Sequence, residues 1–170
     1  DSSGLAEMQV SLSPDFDGAE WQPYSAITPV AFPGDGTHTV YARFRDRASN
    51  VSGMASDSLI VDTTPPVGMA EVQAGVLGPQ TIATTVVLSA TDNATGVSEV
   101  RISARESLTD TLWQPYTTQV DVPVTYTGEA QPVLYVQFRD AAGNESQAYT
   151  TTYLVDTAPP VLYVGVAPGD

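Results

Sequence analysis

The chain has 170 residues and a formal net charge of −14, and all six of its basic residues are arginines. With no lysine stripe and no cysteine, neither a basic surface for nucleic acid or anionic membranes nor a disulfide framework is expected. Hydrophobic residues make up 42% of the chain and are regularly patterned, which excludes a disordered polymer and predicts a packed core.

The predicted elements are all strands, because apolar and polar residues alternate with a period of two along the chain. Leu134, Val136 and Phe138, for example, share one face, and the polar residues between them share the other. Valine, threonine and tyrosine dominate such runs, as strands prefer. In chain order, strands are predicted at 5–11, 20–25, 26–31, 37–45 and 54–62, and then at 67–74, 82–91, 97–104, 111–117, 119–126, 132–139 and 147–156.

These strands belong to two copies of one repeat. The tetrad Trp-Gln-Pro-Tyr at 21–24 returns at 113–116, with an offset of 92 residues. Phe-Arg-Asp at 44–46 returns at 138–140, with an offset of 94. A fixed period of that size indicates a tandem array of domains.

A proline-rich motif closes each copy, since Val-Asp-Thr-Thr-Pro-Pro-Val at 61–67 returns as Val-Asp-Thr-Ala-Pro-Pro-Val at 155–161. The second copy has about seven predicted strands, which is typical of an all-β, Greek-key, immunoglobulin-like β-sandwich with strands A, B, C, C′, E, F and G. The first copy lacks strands A and B. The predicted domains are a partial repeat at 1–64, a complete repeat at 65–158, and the first strand of a further repeat, or a donor strand, at 159–170.

The two strands missing from the first copy have an energetic consequence. They carry about five large apolar side chains, each worth roughly 1.5–3 kcal/mol when buried. Their loss removes on the order of 10 kcal/mol, which is comparable with the stability of a whole domain. Residues 1–62 are therefore not expected to fold well alone. The favoured expectation is a longer array from which this chain is cut, and the alternative is a filament assembled by strand exchange between chains.

Aromatic residues of the repeated motifs are predicted to fill the sandwich core. Because exposed tryptophan and tyrosine rings also stack on sugars, an accessory carbohydrate-binding module is an alternative, distinguished by solvent exposure of the tryptophans. The predicted core aromatics are Trp21, Tyr24, Phe44, Trp113, Tyr116 and Phe138.

Aspartate and asparagine residues concentrate in the predicted B–C and F–G turns. Their ordinary role is to hydrogen-bond the turn backbone. The same loops are expected to meet where the chain enters a sandwich, and clustered hard oxygen ligands suit Ca²⁺. The calcium hypothesis, the only cofactor expectation for this chain, involves Asp62, Asp92, Asn93, Asp140 and Asn144.

Three Asn-x-Ser/Thr sequons, at Asn50, Asn93 and Asn144, are acceptors in any host that N-glycosylates this chain. No enzymatic motif accompanies them. His38 is the single histidine of the sequence and has no counterpart in the second copy, and the sequence contains no phosphate-binding loop and no histidine pair for zinc. A non-catalytic protein is therefore expected.

The chain resembles the bacterial immunoglobulin-like repeats of large secreted and cell-surface proteins. The resemblance rests on Trp-Gln-Pro-Tyr, Val-Tyr-Ala-Arg-Phe-Arg-Asp, Asp-Ala-Ala-Gly-Asn and Val-Asp-Thr-Thr-Pro-Pro. It implies an extracellular spacer or stalk whose partners are neighbouring repeats or identical subunits, without membrane insertion and with any receptor unspecified. It also implies calcium at repeat linkers, which points to Asp62 and Asp156.

Overall fold

The computed structural model describes residues 4–78, 83–123 and 131–162, and every regular element among them is a β-strand. The all-β fold class expected from the alternating pattern is confirmed. Within these described residues there is no helix long and apolar enough to cross a membrane.

The chain divides into two compact units. The first unit contains Asp1–Thr64 together with the short segment Asn93–Thr95. The second unit contains Pro65–Asp92 and the chain from Gly96 onward.

The first unit is built on one antiparallel sheet of four strands: β1 (Leu5–Ser11), β2 (Gln22–Pro23), β3 (Gly36–Asp46) and β4 (Ala55–Val61). Their order in the sheet is β2-β1-β3-β4. The longest strand, β3, pairs with β1 on one side and β4 on the other. The described residues of this unit form no second sheet.

The second unit is a β-sandwich. Its strands are β5 (Val67–Val72), β6 (Val76–Leu77), β7 (Ala83–Thr91), β8 (Val97–Ser103), β9 (Gln114–Pro115), β10 (Gln119–Pro123), β11 (Val133–Asp140), β12 (Tyr149–Thr152) and β13 (Leu154–Val155). One antiparallel sheet has the order β10-β7-β5 and the other β12-β11-β8-β9, while β13 pairs in parallel with β6.

The core of the second unit follows from the alternation of its strands. Every second residue of β11 is buried, and Val136 and Phe138 have no exposed surface. Val86 and Leu88 of β7, in the other sheet, join the same cluster, so the two sheets close on one apolar interior. The cluster contains Val72, Leu77, Val86, Leu88, Val100, Leu134, Val136, Phe138, Tyr153 and Val155.

The prediction of a strand at 26–31 in the first unit is wrong. Residues 26–31 have no strand structure, and Ile27 is 87% exposed. In the second unit the matching strand, β10, takes its backbone hydrogen bonds from β7. The first unit has no equivalent of β7 among its described residues, so a strand at 26–31 has no partner for its amides and carbonyls.

Other strand boundaries differ from expectation. The strands at 20–25 and 111–117 shorten to β2 and β9, which have two residues each. The last strand breaks into β12 and β13, because its second half leaves β11 and pairs with β6 instead. Residues 159–162 are exposed and outside any strand, and the rest of the segment 159–170, expected to hold the first strand of a further repeat or a donor strand, lies outside the described residues.

Candidate functional site

Tryptophan and arginine stack on the outer face of the second unit, the sheet face opposite the core. Arg101 and Arg139 alternate with buried residues of β8 and β11, so their side chains point away from the core. Their guanidinium carbons lie 4.3 and 4.5 Å from the centroid of the Trp113 ring. The expectation that Trp113 fills the core is therefore corrected, since its half-buried ring is held by cation–π contacts outside it.

The first unit repeats this stack. Arg43 and Arg45 lie 5.5 and 4.6 Å from the Trp21 ring centroid, so Trp21 is also an outer-face residue rather than the core residue expected. Tyr24 is 45% exposed and meets the half-buried Phe44 edge to face at 6.0 Å. These two rings lie on the inner face but are not enclosed, because the described residues of this unit form no second sheet over them.

In the second unit the matching pair of rings is enclosed. Tyr116 packs edge to face on the fully buried Phe138, with ring centroids 5.9 Å apart. The Tyr116 hydroxyl accepts a hydrogen bond from the Ala90 amide at 3.0 Å, which satisfies the polar end of a ring packed against the core.

Each unit has an arginine–glutamate pair beside its tryptophan. Arg45 donates to Glu7 and Arg139 donates to Glu99, each across an equivalent pair of strands. These half-exposed pairs fix side-chain geometry more than they add stability.

Each unit also has a cross-strand arginine–glutamine pair, but the two residues occupy opposite strands in the two units. In the first unit Arg43 on β3 donates to Gln9 on β1 at 2.7 Å. In the second unit Arg101 on β8 donates to Gln137 on β11 at 2.9 Å. The arginine has moved to the other strand, yet it still stacks on the tryptophan.

Two of the aspartates predicted to bind a metal meet in the second unit. Carboxylate oxygens of Asp92 and Asp140 lie within 4.8 Å of each other. Asp140 is only 2% exposed, and it accepts hydrogen bonds from the Asn144 amide at 2.9 Å and the Asn144 side-chain nitrogen at 2.8 Å. Asp92 accepts a bond from the Gly96 amide. Two carboxylates this close, one of them buried, offer hard oxygen donors of the kind that Ca²⁺ takes, and a cation would offset their mutual repulsion.

The bonds between Asp140 and Asn144 have a purely structural counterpart. Asp46 in the first unit accepts the same two bonds from Asn50, at 2.8 Å each. Turn chemistry therefore accounts for the aspartate–asparagine pair in both units. What distinguishes Asp140 is its burial and the neighbouring carboxylate of Asp92.

Two further predicted metal ligands, Asp62 and Asn93, belong to the first unit, and Asp156 belongs to the second. Asp62 accepts bonds from the amide and hydroxyl of Thr95, the amide at 3.0 Å. Asn93 donates its side-chain amide to Asp35 at 3.2 Å. Asp156, which the resemblance implied, accepts a bond from the Ala158 amide at 3.0 Å.

Asp35 is a site residue that the sequence reasoning missed. It accepts bonds from the Thr64 hydroxyl at 2.5 Å and from the Thr63 amide and hydroxyl at 2.9 Å each. Hydrogen bonds from Thr64, then Thr63 and Asn93, lower the pKa of the Asp35 carboxyl from 3.8 to about 2. The signal in the sequence is positional, because an acid, Glu129, stands 94 residues later beside the corresponding glycine.

Because the folded-state pKa of Asp35 is depressed, its hydrogen bonds contribute stability that is present above about pH 4 and lost as pH falls through about 2. An NMR titration of the Asp35 carboxyl carbon should show a midpoint near 2. The Thr63 amide signal should move with the same midpoint, and Asp35→Asn should abolish that movement. Asp15→Asn, at an exposed turn, is the matched control and should leave it intact. A midpoint near 3.8 would contradict the assignment.

All three sequon asparagines use the side-chain nitrogen that a glycan would modify. That nitrogen donates to Asp46 from Asn50, to Asp35 from Asn93 and to Asp140 from Asn144. Asn50 and Asn93 are exposed, whereas Asn144 is half-buried. Each asparagine therefore has a structural bond in the folded chain.

No family model matches the chain, and a search of curated proteins finds no significant match. Among solved structures, the fibronectin(III)-like modules of Clostridium thermocellum CbhA align at 11% identity and TM-score 0.45, over 98% of this chain and 86% of that one. The D00-D0 domain of intimin aligns at 16% and 0.38, over 92% and 87%. A tetra-tandem repeat from the extending region of a large adhesion protein aligns at 15% and 0.35, over 91% and 42%. Because their TM-scores are below 0.5, these alignments do not establish the fold, which is defined by the strand topology.

Proposed function

We propose that this chain is a non-catalytic structural spacer of an extracellular or cell-surface protein, in which successive immunoglobulin-like repeats add length. The observation that carries the proposal is the repetition of surface features as well as core features. Packing alone requires the alternating apolar residues to recur. It does not require an outward tryptophan, its two arginines and a hydrogen-bonded aspartate–asparagine turn to recur as well.

The segment that closes the first unit also supports a spacer. Pro65 and Pro66 have fixed φ angles, which stiffens a connecting segment. Immediately before them, Thr63 and Thr64 are tied to Asp35 by three hydrogen bonds. The net charge of −14 on 170 residues opposes lateral association of neighbouring molecules.

Small-angle X-ray scattering on the full chain tests the spacer. We expect an elongated profile that becomes more compact when Pro65 and Pro66 are both replaced by glycine. Gly53→Ala, in an open loop of the first unit, is a control that should leave the profile unchanged. A compact profile for the unsubstituted chain, unchanged when both prolines are replaced by glycine, would contradict the proposal.

We propose calcium binding as the accompanying chemistry of the acidic turns. Asp92 and Asp140 are the strongest ligands on structural grounds, because they are close and one is buried. Asn144 stands beside Asp140, while Asp62 and Asn93 belong to the first unit and enter the proposal from the sequence alone. A bound cation would neutralise the repulsion between the carboxylates.

Calcium should raise the melting temperature of the second unit, because a ligand present at 100 times its dissociation constant stabilises the folded state by about 2.7 kcal/mol. Calorimetric titration with calcium chloride should give heat that Asp140→Asn removes. Asp46→Asn alters the equivalent turn of the first unit and should retain the heat. Absence of heat from the unsubstituted chain, with an unchanged melting temperature, would refute calcium binding.

The carbohydrate-binding alternative receives no support from the tryptophans. Trp21 and Trp113 are the rings proposed to meet a sugar, and each already stacks with two guanidinium groups. A sugar would have to displace these cation–π contacts or use what remains of a half-buried ring.

A further inference from the structure

The inner face of the first unit's sheet is apolar and open. A groove of about 400 Å³ lies on it, and no second sheet covers it in the described part of this unit. Ile27 and Tyr24 at its edge are 87% and 45% exposed. Residues lining the groove include Met8, Val10, Tyr24, Ile27, Val30 and Phe44.

The second unit shows what covers the same face when it is closed. There β5 and β7 lie over β8 and β11, and Phe138 has no exposed surface, whereas its counterpart Phe44 is half-buried. Tyr153 is 3% exposed, whereas its counterpart Leu59 is 41% exposed. The two faces therefore consist of corresponding residues, but only the face of the second unit is covered by other strands.

The pairing of the last strand of the first unit is independent evidence that the covering strands are missing from its described residues. In the second unit Leu154 leaves β11 and pairs with Val76 of β6, donating its amide to the Gly75 carbonyl at 2.8 Å. Its counterpart Ile60 instead stays on the central strand and pairs with Thr37. Because no strand among the described residues of the first unit takes the place of β6, β4 keeps its hydrogen bonds with β3 as far as Val61.

We propose that the open face binds a segment with the pattern of residues 65–92, hereafter the cover segment. In the second unit this segment leads through Gly96 directly into β8, and Gly4 stands at the same place directly before β1. Gly4 and Gly96 share left-handed backbone angles, with φ of 76° and 80°. The backbone that leads into β1 therefore matches the backbone that leads from the cover segment into β8.

A second copy of this chain is a poorer occupant. Its own cover segment already closes its second unit, so donation would uncover one face in order to cover another. Residues 159–162 are exposed and outside any strand, but a single segment cannot replace β5, β6 and β7. The face needs an apolar two-strand layer together with the short strand that receives Ile60.

The proposal is tested by adding a copy of residues 65–92 directly before Asp1 of the full chain. Backbone amides of Val40, Ala42 and Phe44 should exchange with solvent about 100-fold more slowly, because their local opening becomes the unfolding of a closed sandwich. Ile60 should lose its pairing with Thr37, and binding of a hydrophobic dye should disappear. Amides of β7 and β11 in the second unit serve as the reference for a folded sample.

A matched control carries Val86→Asp and Leu88→Asp in the added copy only. It has the same length, but its apolar face is destroyed, so exchange and dye binding should match those of the unextended chain. Equal protection by this control would overturn the proposal, as would unchanged exchange in the extended protein while the reference amides stay protected. Sedimentation of the unextended chain as a dimer with a protected face would assign the surface to a second copy instead.

Discussion

Replacing Phe138 by alanine should lower the free energy of unfolding of the second unit by about 3–5 kcal/mol, the cost of removing a fully buried aromatic ring. The ring contacts Tyr116 and Tyr149, with centroids 5.9 Å away in each case, so its loss leaves a cavity that the rigid strands cannot close. Urea unfolding followed by circular dichroism measures the change, with calorimetry assigning the transition to this unit.

The matched variant is Phe44→Ala, at the corresponding position of the first unit. Because Phe44 is half-buried on an open face, the loss should be smaller, about 1–2 kcal/mol. Equal losses for the two variants would mean that the inner face of the first unit is closed in solution. That result would also contradict the open groove from which the cover segment is inferred.

Alanine at Gly68 should destabilise the second unit by about 1–3 kcal/mol through overpacking. A Cβ atom there would lie 2.5 Å from Cε2 of Phe138 and 2.8 Å from the Ser89 carbonyl oxygen. The carbonyl belongs to the strand paired with β5, so it cannot move without breaking the ladder. Thermal unfolding of the variant should show the loss without a change of fold.

Gly75→Ala is the control, because nothing lies within 4 Å of a Cβ at that position. Its effect should be near zero or slightly stabilising, as expected when a flexible residue is replaced in open space. Combining Gly68→Ala with Phe138→Leu should cost less than the sum of the two single changes, since the smaller side chain relieves part of the clash. Strict additivity would show that Phe138 and Gly68 are not in contact.

The core of the second unit was predictable because it depends on local alternation. Leu134, Val136 and Phe138 recur every two residues, and strand geometry then places all three on one face. The tryptophans were misassigned because their motif lies beside strands of only two residues, where no alternation is available to decide the face. Two outward arginines, rather than the motif itself, determine where each ring lies.

The remaining differences depend on partners distant in sequence. Residues 26–31 have a strand-like pattern, but no strand among the described residues of the first unit pairs with them, so the pattern alone predicts a strand that does not form. The pairing of β13 with β6 joins residues almost eighty positions apart, and neither two-residue strand has a recognisable period. Asp35 is a single acid in a turn, and only the fold brings Thr63, Thr64 and Asn93 to it.

The exchanged arginine–glutamine pair has a consequence for an array of similar neighbours, whose strands risk combining with those of the wrong repeat during folding. If β8 paired with β3, Arg101 would lie directly opposite Arg43, and two positive charges would face each other across the ladder. If β1 paired with β11, Gln9 would face Gln137 with no cation between them. Like charges directly across a ladder are destabilising. The exchanged pair therefore favours pairing of each repeat's own strands over pairing with the strands of its neighbour.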